Sequence, residues 1–149
     1  MEFRLTKESD ILPLSLWFTT QTQVQNWAGP LVRFPLVLEQ LKKDISWSLI
    51  PSYSLLENDE LVGFIQIFDR FECLHIGRVA INPTKRGKGY AIKLMHELFK
   101  VYENSNKNYS LFVYKDNLNA INLYKKLDFR VCDSMTEYEN ENNCLFMKK

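Results

Sequence analysis

Arg86-Gly87-Lys88-Gly89-Tyr90-Ala91 is the stretch of this chain best suited to hold an anion: a basic, glycine-containing turn between an apolar strand-like run and an amphipathic helical run. Backbone N–H groups at the start of a helix lack intrahelical acceptors, and the macrodipole puts positive potential there, so a diphosphate is the natural ligand. Glycine lets the main chain curl through positive φ and come close to a phosphate. Lys85, Arg86 and Lys88 add charge. The plainer reading is a solvated turn shaped by Pro83, Gly87 and Gly89.

Motif spacing separates the anion-binding loops. A P-loop needs a hydroxyl residue after its lysine, and Lys88 is followed by Gly89. A dinucleotide turn needs a third glycine where Ile92 stands, and Asn82 to Arg86 intervene after the strand. Asp116 could imitate the ribose-binding acid, which keeps a nucleotide-dependent oxidoreductase as an outside alternative.

The bulk numbers set the frame. At 149 residues with 46% hydrophobic and 25% charged composition, the chain suits one globular domain spanning 1–149. A net charge of +1 excludes the strongly basic surface of a dedicated duplex binder, so no nucleic-acid partner is expected. Cys73, Cys132 and Cys144 form no ligand pattern with His75 and His96, so no metal site is expected. An odd number of cysteines fits a reducing, cytoplasmic setting. The N-terminus lacks the apolar run of a secretory signal, and no window is long enough for a membrane span.

The elements that must position the loop follow from periodicity. Phe3 and Leu5 alternate as a strand, and Ile11 to Leu14 begin a helix after capping residues between Thr6 and Asp10. Gln21 to Pro35 reads as a loop carrying Trp27, Leu31 and Phe34. It is either an aromatic wall for an acceptor or core packing. Leu36 to Ile45 has helical spacing. A meander follows, with strands Tyr53–Leu56, Leu61–Phe68 and Leu74–Ile81 and turns at Asn58-Asp59 and Asp69-Arg70.

After the loop, Ala91, Leu94, Met95, Leu98 and Tyr102 line one helix face, with exposed His96 opposite. Tyr109–Tyr114 is the next strand, and the strand–helix–strand order predicts a parallel pair. Asp116-Asn117 can cap a helix over Leu118–Leu127. Short strands at Phe129–Cys132 and Cys144–Met147 flank an acidic loop from Glu137 to Asn143.

Two motifs together resemble the Gcn5-related N-acetyltransferase (GNAT) family. Val79-Ala80-Ile81-Asn82-Pro83 followed by Arg86 to Ala91 resembles its acetyl-CoA signature, Q/R-x-x-G-x-G/A after a strand. Asn117-Leu118-Asn119-Ala120-Ile121-Asn122-Leu123-Tyr124 with Leu127-Asp128-Phe129 resembles its N-x-x-A-x-x-L-Y-x-x-x-G-F segment. The similarity spans nearly the whole chain and is loosest over 11–50. Asp128 stands where the family has glycine, and Asp tolerates the left-handed geometry such a position needs.

The resemblance implies an α/β fold: a mixed, mostly antiparallel sheet flanked by helices, with a splayed parallel strand pair at the acetyl-CoA site. It implies an acetyl-CoA-dependent N-acetyltransferase, working by direct attack of an amine in a ternary complex. Val79, Ala80 and Ile81 would pair with the pantetheine, and the Val79 N–H would polarise the thioester oxygen. Arg86, Gly87, Lys88, Gly89, Tyr90 and Ala91 would hold the diphosphate, with Asn117 capping its helix and touching the pantetheine.

Tyr124 would be the general acid for the leaving thiolate. His75, four residues before Val79 and hence on its face of a regular strand, is the candidate base. Glu72 or a water chain are the substitutes, and a structural histidine is the plainer reading. The acceptor would be a small-molecule or peptide amine, and the protein a monomer or homodimer. A non-catalytic acyl-CoA sensor with the same fold is the alternative.

Overall fold

In the computed structural model, residues 1–133, 139 and 142–149 are described. The acidic loop expected over 137–143 lies mostly outside them. A seven-stranded sheet with strand order β1-β2-β3-β4-β5-β7-β6 runs through the chain. Its strands are β1 (Glu2–Leu5), β2 (Ser52–Glu57), β3 (Glu60–Arg70), β4 (Cys73–Ile81), β5 (Tyr109–Tyr114), β6 (Arg130–Cys132) and β7 (Cys144–Lys148). The helices are α1 (Glu8–Ser15), α2 (Gln21–Ala28), α3 (Leu38–Asp44), α4 (Tyr90–Val101) and α5 (Leu118–Lys126).

Pairs β1–β2, β2–β3, β5–β7 and β6–β7 are antiparallel, while β4–β5 is parallel. This is the mixed, mostly antiparallel α/β architecture expected from the motifs. The parallel register joins Leu74, His75 and Ile76 to Tyr109, Ser110 and Leu111 and goes no further.

The chain forms two compact units: Met1–Gln66 with Arg78–Glu103, and Ile67–Gly77 with Asn104–Lys149. In the first, Ile11, Leu14, Val24, Trp27, Leu41, Ile45, Leu61 and Phe64 share one core cluster. The β2–β3 turn uses Asn58 (φ 50°) and Asp59 (φ 64°), residue types that accept left-handed backbone readily. Gly63 answers a close approach: a Cβ there would lie 3.3 Å from both Ile81 Cδ1 and Leu94 Cδ2.

Asp10 is buried in this unit and held by a two-pronged Arg4 guanidinium (2.7 and 3.0 Å), the Lys7 N–H (2.8 Å) and the Ser54 hydroxyl (2.9 Å). Burial alone pushes its carboxyl upward, but these donors outweigh it and hold the pKa below the ordinary value. It is a satisfied structural carboxylate.

Two local expectations are corrected. Residues 21–28 are a helix rather than part of a loop: Thr20 caps it by accepting the Gln23 N–H, and Val24 and Trp27 are its buried side. A helix with two buried apolar residues gives too thin a stripe to recognise from periodicity. The β3–β4 turn lies at Phe71-Glu72 (both φ 57°), not at Asp69-Arg70. Neither residue favours left-handed backbone, and packing decides instead. The Phe71 ring meets Phe112 at 5.6 Å and Phe146 at 5.5 Å, with the Arg70 guanidinium 4.6 Å over it.

Candidate functional site

The glycine loop belongs to the first unit. Asn82 ends β4 and folds the chain over, its side-chain oxygen accepting from the Thr84 N–H (3.1 Å) and hydroxyl (2.9 Å). A single 3-10 turn, Pro83–Lys85, then leads into the glycines. Gly87 has φ 74° and Gly89 φ 82°, and a Cβ added at either would meet nothing within 4 Å. The protein therefore leaves the side-chain face of both residues open. That open space suits a ligand approaching the main chain.

Gly89 is the N-cap of α4, which has no side-chain cap hydrogen bond and no acid in its first turn. Its first N–H groups therefore have no carboxylate or hydroxyl from the cap, and the helix dipole is not neutralised. Leu94, Met95 and Leu98 are buried as the periodicity predicts, and His96 is exposed.

The three cations divide. Lys85 is committed to Glu60 (3.3 Å) and Glu57 (3.6 Å), and the hydrogen bond to Glu60 leads the rise in its pKa. Arg86 and Lys88 are exposed and form no ion pair among the described residues. The local positive charge for an anion thus comes from Arg86 and Lys88. Tyr90 donates to Glu57 Oε2 at 2.6 Å, which raises its own pKa and ties the start of α4 to β2.

Before the loop, Val79 and Ile81 are half-buried and Ala80 is buried. The residue preceding them, Arg78, has φ 50°. A left-handed residue inside a strand breaks the two-residue alternation. The regular alternation on which counting from His75 to Val79 relied is therefore interrupted at Arg78.

The second unit contains the titratable candidates. Asn117 caps α5, its Oδ1 accepting the Ala120 N–H at 3.3 Å. Beyond the helix, Phe129 N–H bonds the Tyr124 carbonyl (3.0 Å) and Asp128 N–H the Lys125 carbonyl (3.1 Å), with Asp128 at φ 70°. This paired-bond stop needs a left-handed residue, and Asp128 supplies it in place of glycine. The motif position thus keeps its geometry despite the substitution.

Tyr124 is 7% exposed, with Phe129 edge-on at 5.9 Å. Its hydroxyl makes no hydrogen bond among the described residues. Burial pushes the phenol up to about 12. A phenol so raised stays protonated throughout the working range and is a weaker acid than an unperturbed phenol.

His75 is 3% exposed, with Nδ1 2.8 Å from the Ser110 hydroxyl and rings of Phe68 (5.4 Å), Phe71 (5.4 Å) and Phe112 (5.0 Å) around it. Burial, reinforced by the Arg70 charge, lowers its pKa to about 4. It is a neutral imidazole at physiological pH and a weak base. Glu72, the substitute, is exposed in the β3–β4 turn. Among the described residues no group of three His, Cys, Asp or Glu side chains could hold a metal ion, and no helix is long and apolar enough to cross a membrane.

Two side chains of the first unit bear on β4: Trp27, which the sequence offered either as part of an aromatic wall or as core packing, and Gln66, which it did not single out. Trp27 Nε1 donates to the Arg78 carbonyl at 2.9 Å, and Gln66 accepts from the Arg78 guanidinium at 2.7 Å. Gly77 before Arg78 was the available signal, since glycine inside a strand marks bulges.

Solved structures with the same fold span the chain. The PaiA N-acetyltransferase of Thermoplasma acidophilum, in complex with coenzyme A, matches with TM-score 0.74 and 18% identity over 99% of this chain and 97% of that one. A ribosomal-protein-alanine N-acetyltransferase from Brucella melitensis matches with TM-score 0.74 and 20% identity over 100% and 99%. An aminoglycoside acetyltransferase in complex with coenzyme A and kanamycin matches with TM-score 0.74 and 21% identity over 99% and 92%. At these identities the likeness establishes the fold. The family model described as Acetyltransferase (GNAT) family matches residues 20–129, which contain the glycine loop, its strand and α5, and the chain belongs to that family.

Proposed function

We propose that this protein transfers an acetyl group from acetyl-CoA to a primary amine, by direct attack in a ternary complex. The observation that carries this reading is the loop of residues 86–91. It combines two left-handed glycines with open side-chain faces, an uncapped twelve-residue helix, and the exposed cations Arg86 and Lys88, which form no ion pair among the described residues. A diphosphate fits that combination of donors, charge and space.

In this reading the main chain of Arg86, Gly87, Lys88, Gly89, Tyr90 and Ala91 binds the diphosphate. Val79, Ala80 and Ile81 pair with the pantetheine arm, with Asn117 as a further contact. Acetyl-CoA supplies the activated thioester. The Val79 N–H stabilises negative charge on its oxygen as the amine nitrogen forms a bond to the carbonyl carbon. As the carbon–sulfur bond breaks, Tyr124 gives its proton to the sulfur, and the proton shed by the amine restores the phenol through solvent.

For removal of the amine proton, His75 is the proposed base, acting directly or through water. Its low basicity means that the neutral fraction of the amine already present in solution sets much of the rate. The acceptor is a small-molecule or peptide amine, and the protein is read as a cytoplasmic monomer or homodimer.

The burial and weak basicity of His75 favour one alternative, a non-catalytic acyl-CoA sensor. Thiol release from acetyl-CoA in the presence of an amine panel separates the two. Turnover that falls in Tyr124→Phe at unchanged acetyl-CoA affinity supports the enzyme; tight binding with no turnover on any amine supports the sensor.

A further inference from the structure

β4 contains a residue whose backbone the chain does not favour: Arg78, an arginine at φ 50° immediately before Val79. Two anchors oppose its relaxation. Trp27 Nε1–H donates to its carbonyl at 2.9 Å from 51 residues away, and its guanidinium donates to Gln66 Oε1 at 2.7 Å.

Both anchors are themselves fixed. The Trp27 ring stacks on Phe18 at 4.3 Å and meets Phe64 edge-on at 6.2 Å. Gln66 is 0% exposed, and its Nε2 donates to the Ile45 carbonyl (3.0 Å) and the Ser52 hydroxyl (2.9 Å), which sets the direction of Oε1. A rigid indole thus aims its only donor at one strand carbonyl.

That carbonyl shares a peptide plane with the Val79 N–H. In a trans peptide the two bonds point in opposite directions, so fixing one fixes the other. We infer that Trp27 is a positioning residue for acyl transfer: by holding the Arg78 carbonyl, it aims the Val79 N–H away from the indole and toward the thioester oxygen. The inference rests on the reading of Val79 as the thioester donor. Trp27 itself touches no reacting atom.

Trp27→Phe keeps an aromatic ring against Phe18 and Phe64 and removes the N–H. In the purified variant kcat falls about five- to tenfold, the loss of one oriented hydrogen bond, while the KM and binding stoichiometry of acetyl-CoA stay at wild-type values. A generally loosened fold would instead reduce stoichiometry. Glycine adopts positive φ freely, so in an Arg78→Gly background the same substitution costs less than in the wild type. An unchanged kcat, or losses of equal size in both backgrounds, would overturn the inference.

A second measurement needs no variant and no turnover. In wild-type protein the Trp27 indole N–H resonance shifts when acetyl-CoA is added and shifts less with a coenzyme A analogue lacking the thioester. Equal shifts overturn the inference. Absence of acetyl transfer by the wild type would overturn the proposed function instead, and this resonance test would still stand.

Discussion

The loop of residues 86–91 and the surroundings of His75 and Tyr124 solve opposite problems. In the loop, polar groups stay open: two glycines face empty space, α4 starts without a cap, and Arg86 and Lys88 are exposed. Around His75 and Tyr124, titratable groups are buried, and desolvation moves one pKa down to about 4 and the other up to about 12. Both shifts favour the neutral form. The contrast is one of exposure: the loop leaves its glycines and cations open to solvent, whereas the surroundings of His75 and Tyr124 keep both side chains neutral.

The strongest way to break the comparison is Gly89→Val. A β-branched side chain at φ 82° is strained and would fill the space left open, so acetyl-CoA affinity falls at least about 100-fold by calorimetry. Equal affinity in variant and wild type would end the diphosphate reading. Tyr124→Phe attacks the other region. It keeps the ring against Phe129 and lowers kcat about 100-fold, the usual scale of general-acid loss, with acetyl-CoA affinity within about twofold.

His75 supplies a pH signature. Its folded pKa of about 4 lies below the ordinary 6.5, so its neutral form is favoured by folding. The associated stability is complete above pH 6.5, declines as pH falls, and is lost near pH 4, on the order of 3 kcal/mol in total. Denaturant titrations across that window should show wild type losing about that much stability relative to His75→Gln between pH 6.5 and pH 4. By the same logic the kcat/KM profile carries no inflection near 6.5; a limb there would mark a His75 that titrates normally.

The smallest effect is expected from Lys85→Ala. Lys85 is taken up by Glu57 and Glu60, so acetyl-CoA affinity changes less than about threefold, whereas Lys88→Ala, which removes an exposed cation with no ion pair among the described residues, weakens it more. Reversal of that order by calorimetry would mean that Lys85 leaves its acids when the ligand binds.

Legibility in the sequence followed the range of the forces. The turn at Asn58-Asp59, the cap at Asn117, the glycine loop and the buried stripe of α4 were readable because a few neighbouring residues determine each. Even the Asp128 substitution was interpretable, since left-handed tolerance is a property of the residue itself. By contrast α2 shows only Val24 and Trp27 as buried residues, too few to display a period. The turn at Phe71-Glu72 is not legible locally, because neither residue favours left-handed backbone and the Phe71 ring packs on Phe112 and Phe146, distant in sequence.

The sequence by itself determined the glycine loop, the helix that follows it and the two-motif pattern, because spacing and backbone preference act within a few residues. Tertiary structure alone decided that His75 is neutral beside Ser110, 35 residues away, and that the left-handed Arg78 is hydrogen-bonded by Trp27 and Gln66. Desolvation and the direction of a long-range hydrogen bond depend on what the folded chain brings near, and no local pattern of residues records that.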